Sequence, residues 1–210
     1  MSDDNKLIVE RKKKLESLLA LTKAYPNSFK RNITTRELIE RFNSEDKESL
    51  EKNEDSFSVT GRLLTIRKMG NSTFANLHDD SGKIQLYLSK NGTGKEMYGL
   101  LDLTDLGDIV GANGKIFKTK TGELTLNVSN YIILSKSLRP LPEKYHGLSD
   151  VEIKYRQRYL DMMASEDSRN VFKNRTKIIS YIRKFFENQN YLEVETPMMH
   201  TIAGGASAKP

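Results

Sequence analysis

The spacing of apolar residues changes at Phe57, and that change limits the folds open to the chain more than any other feature. Ahead of Phe57 the apolar residues recur at helical intervals, and beyond it they alternate. In "FSVTGRL" Phe57, Val59, Gly61 and Leu63 share one parity. In "STFANLH" Ala75 and Leu77 oppose Phe74, Asn76 and His78, and in "GKIQLYLS" Ile84, Leu86 and Leu88 oppose Gln85 and Tyr87. Successive side chains of a strand point to opposite faces, so these segments read as half-buried strands, the second and third joined by the turn "DDSGK". "NGTGKEMYGLLDLT" then has room for one helix. "DIVGANGKIFKT" and "GELTLNVSNYIILS" form a further pair across "KTG", with Leu124, Leu126 and Val128 inward and Glu123, Thr125 and Asn127 outward.

Five strands with a helix between the third and fourth is the order of an OB-fold, the small Greek-key barrel whose second and third strands face oligonucleotides; another small β-barrel would share the pattern. Gly61 suits a strand that must bend sharply in such a barrel. Before the barrel, "KLIVERKKKLESLLAL" places Ile8, Leu15, Leu18 and Leu19 on one helical face and the basic run Arg11 to Lys14 on the other, either a solvated face or a contact for an RNA backbone. In "TTREL" Thr34 and Glu37 have the spacing of a capping box, which opens a second helix running through Phe42. After the barrel, "SKSLRPLPEKYHGL" with Pro140 and Pro142 reads as a linker. Ser149 and Glu152 form a second box opening a helix over "VEIKYRQRYLDMM". Ser165 opens a longer helix with Val171, Ile178, Ile179, Ile182, Phe185 and Phe186 on its apolar face, and "YLEVETP" reads as a strand closed by Pro197.

Composition narrows the function. With 37% hydrophobic and 30% charged residues the chain is of ordinary globular type. No run reaches the roughly 18 apolar residues of a membrane span, and "MSDDNKLIVERKKK" lacks the apolar core of a signal peptide, so a cytoplasmic protein with no membrane partner is expected. There is no cysteine and only three histidines, His78, His146 and His200, so no metal site built on protein ligands alone is expected. A net charge of +6 fits a polyanionic partner without requiring one.

Parity then separates the barrel residues that pack from those left for work. Phe74 opposes the inward Ala75 and Leu77 and so belongs on the outer face, where a large ring needs cover: either a base stacked on it or a loop folded over it. On the same face Gln85 can donate and accept, Glu123 as a carboxylate only accepts, and Arg67 at the end of the first strand only donates. Uracil presents two carbonyls flanking one N–H, so Arg67 and Gln85 can serve the carbonyls while Glu123 takes the N–H; cytosine would set a bare nitrogen against Glu123. Counted from Leu63, Arg67 has inward parity, so this assignment requires a bulge between them. His78 lies on the face and is given no role.

The stretches "YPNSFKR", "RKMGNSTFANLHDDSGKIQLYL", "DLGDIVGANGKIFKTKTGELTL", "LRPLPEKYHGLSDVEIKYRQRYLD" and "LEVETPMMHTIAGGASAKP" are spread along the chain from Tyr25 to Pro210. Together they resemble the N-terminal part of the class II lysyl-tRNA synthetases of bacterial type. "FKTKTGEL" and "RPLPEKYHGL" match the lysine enzymes rather than the aspartate and asparagine ones. The resemblance implies an α+β chain with an all-β centre: an N-terminal helix and a five-stranded OB-fold barrel, followed by the first helices and strand of a class II catalytic domain. The segments would be an N-terminal helical segment at 1–54, an anticodon-binding barrel at 55–137, a linker at 138–148 and the start of the catalytic domain at 149–210.

It implies that the barrel binds the anticodon of tRNA(Lys), whose central uridine stacks on Phe74 beside Arg67, Gln85 and Glu123. "FFENQNYLEVETPMM" resembles the first class II motif, which builds a homodimer interface around Pro197, and Gly204 matches a backbone position in the lysine pocket. The complete protein would be a lysine–tRNA ligase using ATP and Mg2+. The second and third class II motifs, which hold ATP, are not found in these 210 residues. No catalytic residue is therefore assigned to the chain, and no adenylate chemistry is expected of it alone. An OB-fold RNA-binding protein without catalysis is the alternative.

Overall fold

A computed structural model describes residues 3–22, 25–141 and 150–199. Contacts divide the chain into two compact units, 1–141 and 142–210.

The first unit is built on five strands: β1 (Phe57–Met69), β2 (Ser72–His78), β3 (Lys83–Ser89), β4 (Ile109–Lys118) and β5 (Leu124–Ser135). They close into a barrel in the order β1-β2-β3-β5-β4. Every pairing is antiparallel except β3 with β5, a short parallel ladder from Gln85↔Thr125 to Tyr87↔Asn127. β1 serves both edges: Phe57 to Arg62 pair with β4, and Arg62 onward pairs with β2. The strand must bend where it changes partners, and its register shifts between Leu63 and Thr65, a bulge that reverses the parity of the residues beyond it. Gly61 sits just ahead of that bend for a different reason from the one its sequence context suggests. A Cβ there would overlap the carbonyl oxygen of His78 on β2, so glycine permits a close strand approach.

Inward residues of alternating parity fill the barrel, among them Val59, Leu63, Leu77, Leu86, Val110 and Leu126, all fully buried. Each such Val or Leu side chain is worth about 1.5–3 kcal/mol relative to exposure, so the barrel carries the stability of this unit.

The helices of this unit seal the barrel. α1 (Asp3–Leu21) buries Leu18, but Arg11 is buried beside it and donates to the carbonyls of Ser137 and Arg139 at 2.7 and 3.1 Å. Lys14 donates to Asp105 at 2.7 Å. Part of the basic run is thus a structural clamp, and only Lys12 and Lys13 of it are exposed. α2 (Thr35–Phe42) begins with the expected capping box of Thr34 and Glu37 and buries Leu38 and Phe42; α3 (Lys47–Lys52) buries Leu50. Phe42 meets Phe57 edge-on at 5.3 Å, which seats α2 on the end of β1.

The segment between β3 and β4 is not one helix. It breaks into α4 (Lys90–Thr93), α5 (Lys95–Gly99) and a 3-10 turn at Leu100–Asp102, because Gly94 takes a left-handed φ of 85° that a helix cannot continue through.

The second unit contains α6 (Val151–Arg156), α7 (Arg158–Ala164) and α8 (Glu166–Glu187). The helix expected over "VEIKYRQRYLDMM" is split at Gln157, whose φ and ψ of −122° and 57° are not helical. Asp150 caps α6 by accepting from the amides of Glu152 and Ile153, while the proposed cap Ser149 lies outside the described residues. Ser165 caps α8 as expected. Tyr191 to Pro197 form no strand. Their side chains are exposed and no strand among the described residues pairs with them, and a strand cannot satisfy its backbone groups without a partner. No described helix is long and apolar enough to cross a membrane.

Candidate nucleic-acid interface

The barrel register sets two rows of side chains across its outer face. In the first, Arg67 of β1 pairs with Phe74 of β2, Phe74 with Tyr87 of β3, and Tyr87 with Asn127 of β5. In the second, Asn76 pairs with Gln85, Gln85 with Thr125 and Thr125 with Phe117 of β4. Arg67, Phe74 and Tyr87 of the first row and Asn76, Gln85 and Phe117 of the second line one open groove of about 690 Å³, closed at one rim by Lys120, Thr121 and Glu123 of the β4–β5 hairpin. Arg67, Phe74, Gln85 and Glu123 all border it.

Arg67 reaches this face because of the bulge between Leu63 and Thr65, which supplies the parity change that its assignment required. Phe74 is half-buried rather than open, because its ring lies 5.0 Å from that of Tyr87. Tyr87 in turn meets Phe117 edge-on at 5.8 Å. The three rings form a continuous apolar strip on a face whose other lining residues, Met69 and Ala75 apart, are polar. Aromatic strips of this kind offer their π-faces to bases irrespective of sequence. Tyr87 shares outward parity with Gln85, so parity alone could have found it; Phe117 is joined to the strip only by barrel closure.

Beside the strip the polar groups are ordered. Gln85 donates from Nε2 to Glu123 Oε2 at 2.7 Å and accepts at Oε1 from the Thr125 hydroxyl at 2.9 Å. Glu123 precedes β5 within the hairpin, its amide donating to Thr119 Oγ1 at 3.1 Å. Thr125 has outward parity yet is fully buried, since Gln85 lies over it. The hairpin turns through Gly122 at a φ of 83°, which places Glu123 at the groove rim.

The face therefore combines an apolar stacking strip, two cationic side chains (Arg67 and Lys120), one carboxylate and one fixed amide. Such a set can hold a single-stranded polyanion, stack its bases and test their edges by hydrogen bonding. Among the described residues no group of three or more His, Cys, Asp or Glu is arranged to hold a metal ion. Pro197 is exposed in the irregular stretch after α8, and Gly204 lies outside the described residues.

Residues 57–134 match the family model described as an OB-fold nucleic acid binding domain. Residues 150–210 match that of tRNA synthetases class II (D, K and N). The chain is 50% identical over 208 residues to proteins named lysine–tRNA ligase from Nitrosomonas europaea and Neisseria meningitidis serogroup B, and 46% identical to one from Thioalkalivibrio sulfidiphilus. These alignments cover 99% of this chain and 41 to 42% of each relative. The chain thus spans about two fifths of the length of the curated relatives it matches.

Proposed function

We propose that this chain, a homologue of the N-terminal portion of the lysine–tRNA ligases, binds the anticodon of tRNA(Lys) on the barrel face around Phe74. The observation that carries this reading is the convergence of Arg67, Phe74, Gln85 and Glu123 on one groove. A base stacks on Phe74, extending the strip already formed with Tyr87. Its edge then meets Arg67 as a donor, the Gln85 amide as a second donor, and the Glu123 carboxylate oxygen not engaged by Gln85 as an acceptor. Donor, acceptor, donor is the complement of uracil, while cytosine leaves an unprotonated nitrogen facing a carboxylate.

The complete protein would activate lysine with ATP and pass it to the 3′ end of tRNA(Lys), working in the cytoplasm as a homodimer. The exposed apolar side of α8 and the stretch at Pro197 support the association of two copies. Gly204 would line the lysine pocket. The sites for ATP and Mg2+ are assigned to no residue of this chain.

Filter binding of the full chain and its Phe74→Ala variant to tRNA(Lys) tests the reading. Loss of one stacking platform costs about 1–3 kcal/mol, so affinity should fall by about 5- to 150-fold. Equal affinities would overturn the stacking role.

A further inference from the structure

Gln85 can distinguish bases only if its amide is held one way round. An amide turned over exchanges a donor for an acceptor at the same point in space, and the selectivity of the groove reverses with it. Two neighbours bear on that orientation. Glu123 Oε2 lies 2.7 Å from Gln85 Nε2, which fixes the nitrogen end because a carboxylate only accepts. The oxygen end is fixed from below by Thr125, whose hydroxyl lies 2.9 Å from Gln85 Oε1 and 3.1 Å from the carbonyl of Glu123. A hydroxyl has one proton, and with Glu123 holding Nε2 the Gln85 atom facing Thr125 is an oxygen, which only accepts. Thr125 itself has no access to solvent, so water cannot replace it as a donor.

We infer that Thr125, which does not touch the base, is a positioning residue for base selection: its buried hydroxyl locks the Gln85 amide so that Nε2 faces the groove and Glu123. The inference rests on the reading of the Phe74 face as a base-binding surface. It concerns selectivity and not affinity as such, since the stacking strip of Phe74, Tyr87 and Phe117 does not involve the Thr125 hydroxyl.

Thr125→Val removes the hydroxyl while keeping the shape and the β-branched side chain of a buried strand residue, and Thr125→Ser keeps the hydroxyl. The affinities of the full chain and both variants would be measured for an RNA stem-loop carrying a uridine-rich anticodon, and for the same stem-loop with cytosine at the central position. Thermal melts would accompany each protein. The Val variant should lose about five- to tenfold in the ratio of uracil to cytosine affinity, the effect of freeing one neutral hydrogen-bonding partner, and the Ser variant should restore it. An unchanged ratio in Thr125→Val would overturn the inference, whether or not both affinities fall together. If Thr125→Val fails to fold, a Thr125→Ser protein without discrimination overturns it equally. Should the unsubstituted chain bind both stem-loops alike, the reading of the face itself fails and the inference falls with it.

Discussion

Replacing Glu123 with glutamine converts an acceptor-only group into one that also donates, and uracil and cytosine differ at N3 in that same respect. Glu123→Gln should therefore weaken binding of a uracil-centred loop and strengthen that of a cytosine-centred one. The ratio between them should move toward one by about tenfold, the worth of one charge-assisted hydrogen bond. Paired titrations of the two loops would read it, and a ratio unchanged by the substitution would remove Glu123 from base selection. At this scale much of the site was legible from alternation. Phe74 opposes Ala75 and Leu77, and both of those are buried while Phe74 borders the groove. Arg67 was legible only on the condition of a bulge, because a bulge is a register property of two paired strands and leaves little trace in one of them. The support from Thr125 was not legible, since outward parity normally means exposure and only the closure of β3 on β5 covers it.

Among the elements, the end of β5 is tied to the segment before β4 by a buried ionic cluster. Lys136 donates to Asp108 at 2.6 Å, to Asp105 at 2.7 Å and to the carbonyl of Leu103 at 2.6 Å, with the Lys136 and Asp108 side chains 1% and 0% exposed. Lys136→Met leaves the buried Asp108 carboxylate without its cation, while Asp105 keeps Lys14, and should cost about 3–5 kcal/mol, read as a lower midpoint in urea. Acid should act on the same cluster and on Asp79, which joins the β2–β3 turn to α2. Burial raises the Asp79 pKa, but bonds donated by Thr35, Ser81 and Gly82 outweigh it and hold the carboxyl below its ordinary value of 3.8. Asp105 is depressed likewise, burial being outweighed by Lys136 and Lys14. A depressed folded value means that protons bind the unfolded chain more readily. These contributions are therefore complete above the ordinary aspartate range and are lost as pH falls below it through the folded values. The melting temperature should hold down to about pH 5 and drop below it, and a flat profile to pH 3 would contradict this assignment. The alternation of β2 and β3 and both correctly placed caps, Thr34 and Ser165, were readable because their signals are local. The breaks at Gly94 and Gln157 were not, because a short apolar run reads as one helix until backbone angles interrupt it.

The whole molecule joins a barrel with a filled core to a second unit whose apolar residues lie largely uncovered. Val171, Ile178, Ile182, Phe185 and Phe186 of α8 are between 47 and 64% exposed, and Leu192 is 88% exposed. Periodicity marked that helical face correctly but could not mark what covers it. The expected strand at "YLEVETP" failed for the same reason: a strand pairs its backbone groups only with another strand, whereas a helix pairs them within itself. The barrel is the unit whose elements satisfy one another, and the proposed work of the chain is placed on its outer face. The most direct measurement of that claim is the affinity of the full chain for an anticodon stem-loop of lysine tRNA, compared at one salt concentration with the same loop carrying cytosine for the central uridine. Discrimination through a fixed amide and a carboxylate predicts that the uridine loop binds at least about tenfold more tightly. Equal binding of the two loops would contradict it.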